Sequence, residues 1–334
     1  MSGYLAYVGK RLGQFVLVVF VGINLAYVIT HATPIDPVEQ SISAVTSFGN
    51  TAPEAIAEMR KSLRELYGLE GSGWEQYSRF WSRILVGDFG PSLSAFPTPV
   101  GTLIARAMPW TIGLLVTATV ITWALGNLLG GLAGYYQKNR VLKAMGVVAM
   151  TLHPIPYYIV ALLLLIIFGF VWPILPISGG SQMNLAQGWT LDYVASVLTH
   201  SILPALSLIM IGLGSWFLGM RSLVSNVVTE DYVVYAELAG VDRSRILGSY
   251  VMRNALLPQV TGLAMSLGGI FNGAIITEKV FGYPGLGTLL VDAVYAGDYG
   301  LVLGVTTVSI LGVSVGVLVI DLVYPLLDPR VQVS

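Results

Sequence analysis

The chain has 334 residues, of which 55% are hydrophobic and only 10% are charged, and its mean hydropathy is +0.75. A soluble domain carries roughly 25% charged residues, so this composition indicates an integral membrane protein. The net charge of −1 argues against binding of nucleic acid, which needs a clustered basic surface. The absence of cysteine excludes disulfides, thiolate metal sites and a cysteine nucleophile.

Six stretches are long and apolar enough to cross a bilayer, which takes about 20 residues of helix. They predict an all-α integral membrane protein with six transmembrane helices. The first stretch exceeds the roughly 7–15 apolar residues of a signal peptide, so it is expected to be a retained span. The stretches are Leu12–Thr30, Pro109–Ala133, Leu142–Phe170, Ile202–Met220, Val260–Thr277 and Leu301–Leu327.

The basic residues of the short loops set the orientation, because they favour the cytoplasmic side. An inside amino terminus places ten of the 17 basic residues in the cytoplasm and leaves only Lys279 on a short outer loop. Both termini are then cytoplasmic. The ten are Lys10, Arg11, Lys138, Arg140, Lys143, Arg221, Arg243, Arg245, Arg253 and Arg330.

This topology divides the chain into three parts. An amino-terminal helix occupies 1–30, and a large periplasmic segment follows at 31–107. A core of five spans occupies 108–330 and includes a cytoplasmic loop at 221–259.

Two amphipathic helices are predicted within the periplasmic segment. The first begins near Pro53 and ends before Gly68; the second carries an aromatic stripe from Trp74 to Leu85 and ends at Gly87. Such helices pack on the spans or contact an external partner, and the aromatic stripe suits the headgroup boundary.

Several spans carry small residues four positions apart, which allow close approach of helices either within the chain or at a subunit seam. They are Gly126, Gly130 and Gly134, Gly269 and Gly273, and Gly312 and Gly316. The third span also contains Pro154 and Pro156, which indicate either a plain kink or a lining for a cavity.

The chain shows no energy source of its own. It lacks a phosphate-binding glycine loop followed by lysine, a zinc-protease motif and a serine-hydrolase elbow, so an enzyme is not expected. Ionisable residues are scarce in the spans: Asp321 is expected to pair with a backbone donor or a neighbouring base, and Glu278 lies at an outer edge.

The sequence of the cytoplasmic loop predicts two short helices with a sharp turn between them. Thr229 is expected to cap the first, whose Tyr232, Tyr235, Ala236 and Ala239 recur at helical spacing. Gly240 allows a left-handed end to that helix.

Asp242 or Ser244 is expected to start the second helix, with Ile246, Leu247 and Tyr250 at its apolar positions. From the residues alone, the loop is either an amphipathic connector on the inner leaflet or a docking surface for a soluble partner.

Motifs throughout the chain resemble those of binding-protein-dependent ABC importer permeases, in particular the first permease subunit of the dipeptide/oligopeptide branch. The loop Glu230-Asp-Tyr-x-x-x-Ala-x-x-x-Gly240 is similar to their EAA loop, although Val234-Tyr235-Ala236 stands where Glu-Ala-Ala is usual. Further similarities are Tyr67-Gly-Leu, Gly87-Asp-Phe-Gly-Pro-Ser, His200-x-x-Leu-Pro204, Glu278-x-Val-Phe-x-Tyr-Pro-Gly-Leu-Gly287 and Asp328-Pro-Arg330.

The resemblance implies a MetI-like permease fold and a set of partners. These are a homologous second permease subunit, two ATPase subunits, an external solute-binding protein and the lipid bilayer of the bacterial inner membrane. The chain itself would hold no cofactor, because ATP and Mg²⁺ belong to the ATPase subunits. Residues 229–253 would dock the ATPase through Tyr232, Tyr235, Ala236, Glu237, Gly240, Asp242, Arg243 and Arg245.

The solute pathway and the cargo are less defined. The candidate pathway-lining residues are Pro154, Pro156, Asn272 and Glu278. The resemblance implies peptides or solutes of similar size, with an oligosaccharide or opine importer as the alternative within the architecture. A secondary carrier, and a non-transporting scaffold or intramembrane enzyme, are the alternatives from other classes.

Overall fold

A computed structural model describes residues 2–32, 37–46, 52–66, 70–272 and 275–327. Across these ranges the chain is predominantly helical, and its one β-bridge joins Pro91 to Pro99. The protein is an all-α membrane protein. The motifs at Tyr67-Gly-Leu and Asp328-Pro-Arg330 lie outside the described residues.

Four helices in the described part are long and apolar enough to cross a membrane. All four exceed their predicted bounds, because the helical backbone continues beyond the hydrophobic run, at both ends in the first three and at the start of the last. Pro109 was predicted to begin a span but lies inside its helix. The four are α1 (Ser2–Ala32), α5 (Val100–Tyr135), α8 (Leu191–Val227) and α14 (Tyr299–Leu327).

The third predicted span is broken sharply. Helix α6 (Arg140–Leu152) and helix α7 (Tyr157–Leu165), which continues as a π-helix at Ile166–Val171, meet at an angle of 103°. Two prolines within four residues remove backbone donors and prevent the helix from continuing straight. Counted as one span, the pair brings the total to five.

The fifth predicted span is divided into shorter pieces. Helix α11 (Arg253–Gly268) ends in a 3-10 turn at Gly269–Asn272, and α12 (Ile275–Val280) follows after two residues outside the described part. The count of six spans and the cytoplasmic position of both termini therefore remain predictions. A short apolar helix, α13 (Leu286–Tyr295), then leads to α14.

The segment predicted to be periplasmic, residues 31–107, contains three helices in its described part before α5 begins. Helix α4 (Gly73–Leu85) begins with a capping box formed by Ser72 and Glu75 and packs against α1, where Trp81 stacks on Phe20 at 5.4 Å between ring centroids. Helix α2 (Pro37–Thr46), which was not predicted, packs against α3 (Pro53–Leu66). The second predicted amphipathic helix therefore packs on a span.

Close packing of α5 against α8 forms the centre of the bundle. A Cβ added at Gly126 would come within 2.5 Å of Trp216, and one at Gly130 within 2.3 Å of the Phe217 carbonyl oxygen. Gly316 similarly faces the backbone of Gly268 in α11. These glycines serve packing within the chain, which was the first of the two predicted alternatives.

Candidate functional site

The loop after α8 begins with a short helix, α9 (Asp231–Leu238). Thr229 does not cap it, contrary to prediction, because its hydroxyl donates to the Asn226 carbonyl at 2.7 Å, at the end of α8. Glu230 occupies the N-cap without a side-chain hydrogen bond. Only a short turn therefore separates α9 from the long helix α8.

The face of α9 that packs against the rest of the protein is not the stripe that helical spacing marked. Val233 is fully buried and Ala236 nearly so, whereas Tyr232 and Tyr235 are 40% and 68% exposed. Helical spacing predicted a stripe led by the tyrosines, but the apolar cluster on which α9 rests selects the residues three apart at 233 and 236. The cluster contains Met220, Val224, Val233, Ala236, Ile246, Val251 and Ala255.

Gly240 ends α9 in the predicted left-handed conformation, with φ of 70°. Its amide donates to the Glu237 carbonyl at 3.0 Å, and the Val241 amide donates to the Ala236 carbonyl at 3.1 Å. These two bonds form a Schellman motif, which satisfies the last carbonyls of the helix. The turn between the two helical pieces is thereby fixed.

Asp242 starts the next helix, as predicted. Its carboxylate accepts hydrogen bonds from the Ser244 hydroxyl and, at 2.9 Å, from the Ser244 amide. These bonds hold the pKa of Asp242 below its usual value.

The helix that Asp242 caps is not short, which corrects the prediction of two short helices. Helix α10 (Arg243–Arg245) passes through a π-helix at Ile246–Met252 directly into α11. The backbone stays right-handed helical at both junctions. The loop is therefore mechanically continuous with the fifth predicted span.

The π-helix explains why the sequence pattern missed one core residue. Ile246 and Val251 are five positions apart, and in an α-helix they would point about 140° apart. The wider π turn brings both into the same cluster, where each is buried. The α-helical period instead selected Tyr250, which is only half-buried.

The other face of α9 carries apolar side chains that nothing in the described chain covers. Leu238 is 79% exposed, Tyr235 is 68% exposed and Val234 is 42% exposed. We call these three residues the α9 apolar face. The predicted site residues Glu237, Asp242, Arg243 and Arg245 are also exposed, and they lie next to it or shortly after it in the chain. An apolar centre within a charged rim is the usual anatomy of a protein interface.

The predicted pathway residues do not share one environment. Pro154 and Pro156 are exposed at the bend between α6 and α7. The side chain of Asn272 lies outside the described residues. Glu278 is fully buried, which disagrees with its predicted role as a lining residue.

Glu278 instead holds three elements together. Its carboxylate accepts hydrogen bonds from Thr111 of α5 and from the Gly287 amide of α13, both at 2.7 Å. The Thr111 hydroxyl in turn accepts the Leu286 amide at 2.7 Å. A buried carboxylate at the N-terminus of α13 compensates the free amides there.

Asp321 pairs with a neighbouring base, as predicted. Its carboxylate lies 3.2 Å from the Arg11 guanidinium, and Tyr7 donates to its backbone carbonyl at 2.8 Å. The first and last long helices are joined by this pair. Elsewhere, no three His, Asp or Glu side chains in the described ranges meet in an arrangement suited to a metal ion.

The sequence over residues 126–333 matches the family model described as binding-protein-dependent transport system inner membrane component. The chain belongs to this family. This permease is 30% identical to the dipeptide transport system permease protein DppB of Escherichia coli (strain K12), over 98% of the chain and 99% of that protein. It is 27% identical to DppB of Lactococcus lactis subsp. cremoris (strain MG1363), with the same coverage.

A third relative is named for a different cargo. The glutathione transport system permease protein GsiC of Salmonella paratyphi A is 30% identical over 98% of this permease and 99% of its own length. Together with the apolar helices, the family places the permease in the bacterial inner membrane as a multi-pass subunit of an ABC importer.

Proposed function

We propose that this permease imports short peptides and is driven through residues 229–253 by ATPase subunits. It pairs with a homologous second permease subunit, two ATPase subunits dock on the loop side, and an external solute-binding protein delivers cargo to the other side. ATP and Mg²⁺ bind to the ATPase subunits. The peptide cargo is supported by the relatives, whose names include dipeptide and glutathione transport.

One observation carries the docking role: the α9 apolar face is exposed on an element that is rigidly joined to the membrane helices. Val233 and Ala236 anchor α9 to α8 through Met220 and Val224, and to the helix that becomes α11 through Ile246 and Val251. A force applied to α9 therefore reaches both helices without an intervening flexible link.

The displacement can pass further into the bundle through α11. Trp123 of α5 donates its indole N–H to the Gln259 carbonyl of α11 at 2.9 Å, and Gly268 of α11 lies against Gly316 of α14. Closure of the ATPase pair thus tilts α11 between α5 and α14. Such coupling between two sites is worth typically about 1–3 kcal/mol.

The test replaces Gly240 with valine and compares it with the same change at Gly248. A Cβ at either glycine meets no atom within 4 Å, but only Gly240 has a positive φ. A left-handed residue with a side chain costs roughly 1–2 kcal/mol, so Gly240→Val should disturb the turn that sets α9.

We expect Gly240→Val to lower peptide-stimulated ATP hydrolysis of the reconstituted complex about tenfold, in line with that cost, while Gly248→Val retains it. Full hydrolysis and full assembly in Gly240→Val would remove the coupling role.

A further inference from the structure

A cleft of about 790 Å³ opens at the end of the molecule opposite the 229–253 loop. It lies where the first three turns of α5 and the first two turns of α8 and α13 converge with the connection before α8. Clefts that bind small ligands typically measure about 300–1,000 Å³ and combine apolar walls with a few polar groups. The lining here is mainly apolar and aromatic, with Arg106 and Asp292 as its charged members.

The walls of the cleft are fixed by contacts behind them. Trp110 packs edge-on against Tyr283, with ring centroids 5.5 Å apart, and the Tyr283 hydroxyl is 2.9 Å from the Ser201 hydroxyl of α8. The bonds of Glu278 to Thr111 and Gly287 hold α13 against α5. Arg106 of α5 and Asp292 of α13 are therefore carried by elements that cannot easily separate.

The two charged side chains of the cleft differ in whether they have partners within the protein. The Arg106 side chain is exposed and forms neither an ion pair nor a hydrogen bond with any residue that the structure describes. Asp292 accepts a hydrogen bond from Lys279 through one of its two carboxylate oxygens. The cleft thus offers an unused guanidinium on one wall and a carboxylate with a second oxygen on another.

An exposed aromatic side chain completes the site. Trp189 lines the cleft and is 100% exposed, so it covers no part of the described chain. A tryptophan loses a large apolar area from water when it is covered, which makes it an effective contact for a ligand.

We propose that this cleft binds a short peptide through the peptide's free termini, as a site on the permease itself. Arg106 binds the terminal carboxylate, because a guanidinium and a carboxylate form two parallel charge-assisted hydrogen bonds. Asp292 accepts the terminal ammonium, and Trp189 and Trp110 pack on the peptide between them. The inference rests on the proposed peptide cargo.

The two polar groups favour a zwitterionic ligand over an acidic loop of the solute-binding protein. An acidic loop would use Arg106 and the apolar walls but would bring no donor to the second carboxylate oxygen of Asp292, whose first oxygen is paired with Lys279. A peptide with both termini free satisfies both charges. Blocking one terminus at a time therefore separates the two kinds of occupant.

The experiment titrates trialanine and trialanine amide into the purified complex of the permease with its partner subunits, in nanodiscs and without binding protein. Binding is measured by calorimetry for the wild type, for Arg106→Gln and for Arg140→Gln. Arg140 is an equally exposed arginine at the start of α6, outside the cleft, and serves as the matched control.

We expect Arg106→Gln to weaken trialanine binding at least tenfold and Arg140→Gln to leave it unchanged. The amide should bind the wild type at least tenfold more weakly, with no further loss in Arg106→Gln. Trp189→Ala is the second test variant, in case Arg106→Gln fails to assemble. It alters only an exposed side chain, and it should also weaken the binding of trialanine.

Three results would overturn the proposal: no binding of trialanine to the wild type, equal binding of the acid and the amide, or undiminished binding to Arg106→Gln. Loss of stimulation by the binding protein in Arg106→Gln with peptide binding intact would assign the cleft to that protein instead. ATP-dependent trialanine uptake by the wild-type complex shows which idea has failed: uptake without cleft binding removes only the cleft site, and absence of uptake removes the peptide cargo.

Discussion

Tyr235 and Leu238 are the side chains that a docking partner would cover first. They lie three positions apart on α9 and are its two most exposed large apolar residues. Aromatic and large aliphatic residues at the centre of an interface typically contribute more than about 1 kcal/mol each to binding. Their removal should leave the fold intact, because they touch little of the permease itself.

We expect the double substitution Tyr235→Ala and Leu238→Ala to weaken ATPase binding at least tenfold, as measured by titration of the purified ATPase onto the permease pair. The control is Val141→Ala on α6, which truncates a side chain that is 68% exposed and lies outside the loop. Equal affinities for the double variant and the wild type would show that the ATPase contacts another surface.

Thr111 gives a second prediction at the level of one residue. Thr111→Val removes the donor to Glu278 and the acceptor of the Leu286 amide, and it leaves buried polar groups unsatisfied. The expected destabilisation is about 1–3 kcal/mol, seen as a lower midpoint of thermal unfolding in detergent. Thr122→Val is the control, since the buried Thr122 hydroxyl only donates to Ala118 of its own helix; an equal drop in both variants would contradict the role of Thr111.

Local signals allowed some residues to be placed from the sequence, and tertiary contacts decided the others. Gly240 and Asp242 act within a few residues of themselves, so their roles at the turn could be predicted. The roles of Val233 and Val251 depend on the cluster around Met220, and the bond from Thr111 to Glu278 comes from a helix that lies far away in the chain. The spacing of residues along the sequence cannot predict such contacts between elements.

Among the elements, the π-helix at Ile246–Met252 joins the loop that carries α9 to α11. It places Ile246 and Val251 on one face by accommodating one residue more than an α-helical turn. Removal of that extra residue should restore α-helical spacing while the helices on either side keep their faces. Gly248 is suited to deletion because it is exposed and a Cβ there would meet nothing within 4 Å.

We expect deletion of Gly248 to preserve membrane expression and assembly with the ATPase. Deletion of Leu257, a half-exposed residue within the α-helical part of α11, rotates one side of the helix by about 100° and should abolish assembly. Size-exclusion chromatography of the solubilised complex distinguishes the two. Equal loss in both deletions would mean that the π turn accommodates no surplus residue.

Hydropathy located the elements better than it located their ends. The runs at Leu12–Thr30 and Leu301–Leu327 each fall within one long helix. Helices α5 and α8 extend well past their apolar runs, because capping and packing rather than hydrophobicity end a helix. The sequence placed the break at Pro154 and Pro156, whereas the angle of 103° depends on the contacts of α7 with α8.

For the whole molecule, the sequence indicated the membrane class, the importer family and the position of the docking loop. The family match and the relatives confirm the first two. Partner subunits and cargo are properties of an assembly, and one chain contains only the surfaces that such an assembly uses. The α9 apolar face and the cleft that contains Arg106 and Asp292 are the two surfaces from which we infer partner and cargo.

The central claim is that solute movement through this permease requires work done on α9 by a separate ATPase. Uptake of radiolabelled trialanine into proteoliposomes tests it directly. We predict uptake when the permease pair is reconstituted with its ATPase subunits, loaded binding protein and ATP, and none when the ATPase subunits are omitted. Peptide accumulation in vesicles that contain the permease alone, without ATP, would contradict the account.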